Sequence, residues 1–136
     1  MTQRLAILVA AVVVGGISAM VISSRDEGGS ARVDLAYATL PQPTAQQQAG
    51  RTLFDANCAT CHGESAAGSD RGPPLVHRIY EPGHHGDMAF LIAARQGVRA
   101  HHWRFGNMPP VDGVTEADVV KITAYVRALQ RANGIN

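Results

Sequence analysis

The chain contains only two cysteines, and both lie in the stretch NCATCHGE, directly followed by a histidine. Cys58, Cys61 and His62 form a Cys-x-x-Cys-His pattern. Such a pair of thiols suits a disulfide, a redox-active dithiol, half of a zinc site, or the covalent attachment of a cofactor. The surrounding residues decide between these kinds of chemistry.

The disulfide, the zinc site and the dithiol each fit this pattern poorly. A disulfide between cysteines three positions apart closes a very short loop and stabilises little. A four-cysteine zinc site needs a second pair, which the chain lacks. A thioredoxin-like dithiol has no need of the adjacent histidine. Cys-x-x-Cys-His is the pattern of covalent haem attachment, in which both thiols add to vinyl groups and the histidine ligates the iron. We therefore expect one haem c on Cys58 and Cys61, with His62 as an axial ligand.

A haem that transfers electrons without binding a substrate needs a second axial ligand. Met108, in the stretch GNMPP, offers a soft thioether that raises the reduction potential, and the prolines after it restrict the backbone. A packing methionine is the alternative interpretation of Met108. Met20 and Met88 are less suitable, since one lies in an apolar run and the other at the start of a predicted helix. A loop histidine in place of Met108 is a further alternative.

The loops contain five more histidines, two pairs among them: His77, His84, His85, His101 and His102. Clusters of imidazoles bind copper or zinc, whereas single loop histidines are more often polar surface groups. A second metal site therefore depends on whether the pairs meet in the fold. A third interpretation is a hydrogen-bond network at the haem edge, where Trp103 and Arg104 are candidate donors to the anionic propionates.

The N-terminal region predicts export or membrane attachment. Leu5 to Ile22 is an uncharged run of 18 residues, which spans about 27 Å as a helix and so matches the hydrocarbon core of a bilayer. Arg4 before the run places the N-terminus in the cytoplasm and the rest outside. Two interpretations fit: a retained anchor, favoured by the run length, and a cleaved signal peptide.

Three helices are predicted beyond this region. The first runs from Ala45 to about Asn57 with Thr44 as N-cap, and the second begins with Asp87 as N-cap and stops at Gly97. The third has a capping box and carries a stripe of apolar residues. The sequence shows no strand pattern and no internal repeat. The domain organisation is therefore residues 1–24 as signal or anchor segment, 25–44 as flexible linker, and 45–136 as one folded domain.

The motifs CATCH, GPPL and GNMPP, with their flanking helices, resemble those of class I c-type cytochromes from residue 45 to the C-terminus. The resemblance implies an all-α fold of three to four helices around one haem. It implies thioethers at Cys58 and Cys61, with His62 as proximal and Met108 as distal iron ligand. It also implies that the carbonyl of Pro73 binds the other ring nitrogen of His62.

The same resemblance implies that the first and last helices cross closely. Gly50 and Phe54 match the family positions on the first helix, and Tyr125 matches the aromatic residue on the last. A glycine allows two backbones to approach where no side chain intervenes.

These features predict a monohaem cytochrome that carries single electrons between protein redox partners at the periplasmic face of the bacterial inner membrane. A formal net charge of +1 gives no sign of nucleic-acid binding, and we expect no small-molecule substrate. The protein is then an electron carrier rather than an enzyme. Two alternatives remain: a haem subunit of a larger membrane oxidoreductase, and a haem enzyme or sensor with an open iron site.

Overall fold

The computed structural model describes residues 43–136 of the chain. The predicted apolar segment at residues 1–24 and nearly all of the predicted linker at residues 25–44 lie outside this range. Within the range, none of the helices combines the length and the apolar composition that crossing a membrane requires. The described residues form helices and loops with no strand among them, so the predicted all-α fold is confirmed.

The first helix, α1, spans Ala45–Asn57, as the sequence predicts. The Gln47 N–H donates to the Thr44 hydroxyl oxygen at 3.2 Å, and the Thr44 N–H donates to Gln47 Oε1 at 2.9 Å. This reciprocal capping box satisfies donors that a helix start leaves unpaired. A short helix, α2 (Ala59–His62), follows at once and carries most of the Cys-x-x-Cys-His pattern.

The third helix, α3, spans Asp87–Gln96, after two short 3-10 helices at Glu64–Ala66 and Arg78–Tyr80. The prediction that Asp87 caps this helix is wrong, because Gly86 is the N-cap and Asp87 is the first helical residue. The Asp87 carboxylate instead accepts a hydrogen bond from Arg127 at 2.8 Å. The helix ends at Gly97 as predicted.

The last helix, α4, spans Glu116–Ala132 and supplies most of the buried side chains. Its predicted capping box is confirmed: the Asp118 N–H donates to the Thr115 hydroxyl at 3.2 Å, and the Thr115 N–H donates to Asp118 Oδ2 at 3.2 Å. The hydrogen bonds from Thr115 lower the pKa of the Asp118 carboxyl. The carboxylate also suits the positive end of the helix dipole.

Helices α1 and α4 cross at Gly50, where their backbones are in close contact. A Cβ atom on Gly50 would lie 2.0 Å from the carbonyl oxygen of Lys121. Beside the crossing, the fully buried rings of Phe54 and Tyr125 pack with their centroids 5.7 Å apart. Burying a side chain of this size stabilises the fold by about 1.5–3 kcal/mol. The crossing that the family resemblance implied is therefore present, and it places the end of α1 at the core.

Arg127 of α4 is buried and holds the loop that precedes α3. Its guanidinium donates to the carbonyl oxygen of Tyr80 at 2.6 Å, to the carbonyl oxygen of His85, and to Asp87. The Asp87 side chain is 72% exposed, so water competes for that ion pair. The two carbonyl contacts therefore contribute most of the stabilisation.

Replacing Arg127 with methionine should lower the free energy of unfolding by about 2–3 kcal/mol, because the carbonyls of Tyr80 and His85 lose a charged donor. The matched variant Asp87→Asn should cost less than about 1 kcal/mol. Urea unfolding of the haem-loaded protein measures both values. Equal losses in the two variants would show instead that the ion pair holds the loop.

Candidate haem site

Cys58 lies at the junction of α1 and α2, Cys61 lies within α2, and no disulfide joins them. Cys58 is half-buried and Cys61 is exposed. The N–H of His62 donates to the Cys58 carbonyl at 2.9 Å, so the turn of α2 fixes the order thiol, thiol, imidazole along one short segment. Burial, and then the neighbouring Cys61, raise the pKa of the Cys58 thiol to about 11. A thiol-exchange cysteine needs the opposite shift, so this environment does not suit a redox-active dithiol.

His62 is buried and held in one orientation by the backbone. Its Nδ1 lies 2.9 Å from the carbonyl oxygen of Pro73, and since a carbonyl only accepts, Nδ1 carries the proton. Burial lowers the pKa of His62, against a smaller opposing effect of this hydrogen bond. The imidazole is therefore neutral at neutral pH and keeps a lone pair on Nε2, which is the form that binds a metal.

A tight loop after α2 delivers Pro73 to His62. The Gly68 N–H donates to the His62 carbonyl at 2.7 Å, and a Cβ on Gly63 would lie 2.0 Å from the Gly68 carbonyl oxygen. Gly63 also has a φ of +76°, which glycine adopts without strain. Ala66 adopts a positive φ as well and is completely buried. The chain thus folds back on itself closely enough for the Gly-Pro-Pro-Leu stretch to reach the imidazole.

Met108 is positioned by a short antiparallel pairing with the residue after Gly97. Val98 and Met108 exchange both backbone hydrogen bonds at 2.9 Å. The Val111 N–H donates to the Ala94 carbonyl at 2.8 Å, which ties the next part of the loop to α3. Sequence reasoning missed this pairing, because a single bridge leaves no alternating pattern. Of the alternative methionines, Met88 is 63% exposed on α3, and Met20 lies outside the described residues.

One cavity of about 470 Å³ brings these groups together, within the range of about 300–1,000 Å³ typical of cofactor sites. Cys58, His62, Pro73 and Met108 line it, and most of the remaining lining is apolar. Cys61 does not line it and lies on the exposed side of α2. The cavity therefore fits a haem c. Cys58 offers a thiol, His62 a neutral imidazole with a lone pair, and Met108 a thioether, all around an apolar space.

Of the two residues predicted to contact the haem edge, Trp103 lies at the cavity and Arg104 does not. Trp103 lines the cavity, and its buried indole N–H has no hydrogen-bond acceptor of acceptable geometry among the described residues. The indole lies near the Tyr80 hydroxyl. Burial raises the pKa of that hydroxyl, and the indole N–H opposes part of the rise. Arg104 is exposed and does not line the cavity, whereas Arg99, which sequence reasoning did not single out, does.

The two histidine pairs meet in space, which the sequence left open. His84 and His85 precede α3, and His101 and His102 lie in the loop between Val98 and Met108. The rings of His84 and His102 have centroids 5.1 Å apart. His77 does not join this group: its Nδ1 accepts from the Ile79 N–H, and its ring contacts Trp103.

Comparison with known proteins agrees with the geometry. The family model for cytochrome c matches residues 47–130, well over half of the chain. Cytochrome c-554(547) of Halothiobacillus neapolitanus is 31% identical over 90 residues, which cover 60% of this chain and 94% of that protein. The cbb3-type cytochrome c oxidase subunit CcoP of Cereibacter sphaeroides is 40% identical over 83 residues, which cover 59% of this chain.

The match to the CcoP subunit spans only 26% of the length of that protein. No solved structure matches the chain significantly. The assignment therefore depends on the family model and on cytochrome c-554(547), which is matched over nearly its whole length. The chain belongs to the cytochrome c family: it is a class I c-type cytochrome, a haem electron carrier with covalently bound haem c.

Proposed function

We propose that this cytochrome carries single electrons between two protein partners at the periplasmic face of the inner membrane. Cys58 and Cys61 would hold haem c through two thioether bonds, and His62 and Met108 would ligate its iron. The observation that carries the proposal is that Cys58, His62 and Met108 line one apolar cavity. Haem c, when bound, supplies a one-electron ferric/ferrous couple.

The proposed proximal side depends on the pairing of His62 with Pro73. The hydrogen bond from Nδ1 to the Pro73 carbonyl holds the imidazole plane in place and increases the basicity of Nε2. The tight loop at Gly63 and Gly68 keeps that carbonyl in position. The imidazole is therefore held in the orientation in which it would ligate the iron.

The proposed distal side depends on the backbone around Met108. The bridge to Val98 fixes the main chain of Met108 at the end of α3. Leu75, Phe90 and Ile122 add apolar walls to the cavity. Both the thioether and the low-polarity surroundings favour the less charged, reduced form, so we expect a comparatively high potential.

The proposed domain organisation places this centre above a membrane. We propose residues 1–24 as an anchor or a cleaved export signal and residues 25–44 as the linker to the haem domain at residues 45–136. An export signal agrees with covalent haem attachment, which the bacterial periplasm supports. Trp103 and Arg99, both at the cavity, are the proposed donors to the haem propionates.

A second candidate function is a haem subunit of a larger membrane oxidoreductase. The similarity to a subunit of a cbb3-type cytochrome c oxidase favours it. Crosslinking in native membranes, followed by native gel electrophoresis, separates the two candidates. A free carrier migrates alone and forms only transient crosslinks, whereas a subunit stays in one complex of fixed composition.

Carbon monoxide binding tests whether His62 and Met108 would both ligate the iron. The reduced, haem-loaded protein should not change its absorption spectrum within minutes of carbon monoxide addition at neutral pH, and its redox titration should follow a one-electron Nernst curve. A five-coordinate haem protein serves as the positive control. Rapid and complete binding of the gas would contradict the carrier and favour an open-site enzyme or sensor.

A further inference from the structure

We propose that His84, His85 and His102 form a binding site for a divalent late first-row transition-metal ion, copper(II) by preference, separate from the haem iron. One ligand nitrogen from each of the three imidazoles lies within 4.8 Å of the other two. The three residues come from two loops, and His102 follows His85 by 17 positions in the chain, so the fold rather than the local sequence assembles the group.

The spacing of these nitrogens suits a metal after small side-chain rotations. At a metal–nitrogen distance of about 2.0–2.1 Å, neighbouring nitrogens lie about 2.9 Å apart in the square-planar arrangement that copper(II) prefers and about 3.4 Å apart in a tetrahedral zinc site. His84 and His102 are exposed, so their rings can turn by the small angle that closes the gap. The rings of His84 and His85 are already near each other, with centroids 4.5 Å apart.

His85 is the anchored member of the group. Its Nδ1 donates to the Ile79 carbonyl at 2.6 Å, which leaves the lone pair on Nε2. Metal-binding histidines commonly donate their second ring nitrogen in this way, because it fixes the tautomer and the ring orientation. The main chain of His85 is held too: its N–H donates to the Glu81 carbonyl at 2.8 Å, and its carbonyl accepts from Arg127.

No carboxylate of the described residues is paired with the histidine cluster. Among residues 43–136, none of the four clustered histidines forms an ion pair with a carboxylate that would stabilise the protonated ring.

The donor set determines which metals fit. Imidazole ligands without thiolates suit copper(II), zinc and nickel, and copper(II) binds most tightly in the general order of divalent ions. Exposure of His84 and His102 leaves room for water, or for His101, as a further ligand; the ring of His101 lies 4.3 Å from that of His102. His85 and His102 also line the haem cavity, so a bound cation should shift the potential of the iron to a more positive value.

Copper titration of the haem-loaded full chain tests the site. The ferric protein is washed with a chelator and titrated with copper(II) chloride, with dialysis for stoichiometry and electron paramagnetic resonance for nitrogen ligation. We expect one copper per chain with nitrogen hyperfine structure. The double variant His84→Gln/His102→Gln should bind copper at least about 100-fold more weakly, since even the loss of a supporting contact costs 10–100-fold. The variant His77→Gln is the matched control and should bind like the wild type.

Three results would contradict the proposed copper site. The first is no copper bound by the wild type at micromolar concentration, and the second is equal binding by the double variant. The third is a changed haem spectrum of the metal-free double variant, which would mean that these histidines serve the iron instead. The one-electron titration without copper tests the carrier function separately, so failure of one proposal is distinguishable from failure of the other.

Discussion

Replacing Met108 with alanine should lower the reduction potential on the order of 100 mV, because each tenfold loss of preference for ferrous iron costs about 59 mV in a one-electron couple. The proposed thioether is the ligand that favours reduced iron, and alanine leaves that position open. The backbone pairing with Val98 uses no side-chain atom, so the loop should keep its shape. The reduced variant should also bind carbon monoxide rapidly.

Spectroelectrochemistry and the weak near-infrared sulfur–iron band measure this effect. The matched control is Met88→Ala, since Met88 is 63% exposed on α3, and its potential and spectrum should equal those of the wild type. An unchanged near-infrared band in Met108→Ala would refute Met108 as the distal ligand. The histidine alternative would then be tested by replacing His101 and His102, which line the same cavity.

Replacing Gly50 with alanine should lower the free energy of unfolding by about 3 kcal/mol or more, at the upper end of the usual cost of overpacking. The added Cβ would lie 2.0 Å from the Lys121 carbonyl oxygen, so α1 and α4 must separate. Small domains are stable by only about 5–15 kcal/mol. Since α1 leads directly into Cys58, we also expect a lower yield of haem-loaded protein.

Urea unfolding and haem content per chain measure the effect of Gly50→Ala. Gly83→Ala is the matched control, because a Cβ on Gly83 has no atom within 4 Å and its backbone is not in the left-handed region. That control should keep the stability of the wild type to within about 0.5 kcal/mol. Equal stability of the Gly50 and Gly83 variants would show that the two helices can move apart at little cost.

The helices were predictable from sequence because their signals are local. Thr44 with Gln47, and Thr115 with Asp118, are each three residues apart, and a capping box needs only these neighbours. The N-cap of α3 was predicted wrongly for a nonlocal reason. Asp87 is a good cap by residue type, but its carboxylate contacts Arg127, 40 positions away in the chain.

Some features of the candidate haem site were likewise predictable from sequence, and others were not. The Cys-x-x-Cys-His pattern identifies the attachment chemistry, since thiols and imidazole must be adjacent for it. The family resemblance implied the contact between Pro73 and His62, and the structure has it at 2.9 Å. The bridge between Val98 and Met108 has no such signal, because one pair of hydrogen bonds creates no periodicity.

The sequence by itself determined the starts of α1 and α4, the kind of cofactor and the segment that attaches it, because these depend on residues close to each other in the chain. Only the tertiary structure decided that Arg99 rather than Arg104 lines the cavity, and that His84, His85 and His102 lie side by side. Both depend on how the loop between Val98 and Met108 folds against the loop before α3. That packing is set by contacts distant in sequence, such as the hold of Arg127 on the His85 carbonyl, and no local pattern encodes it.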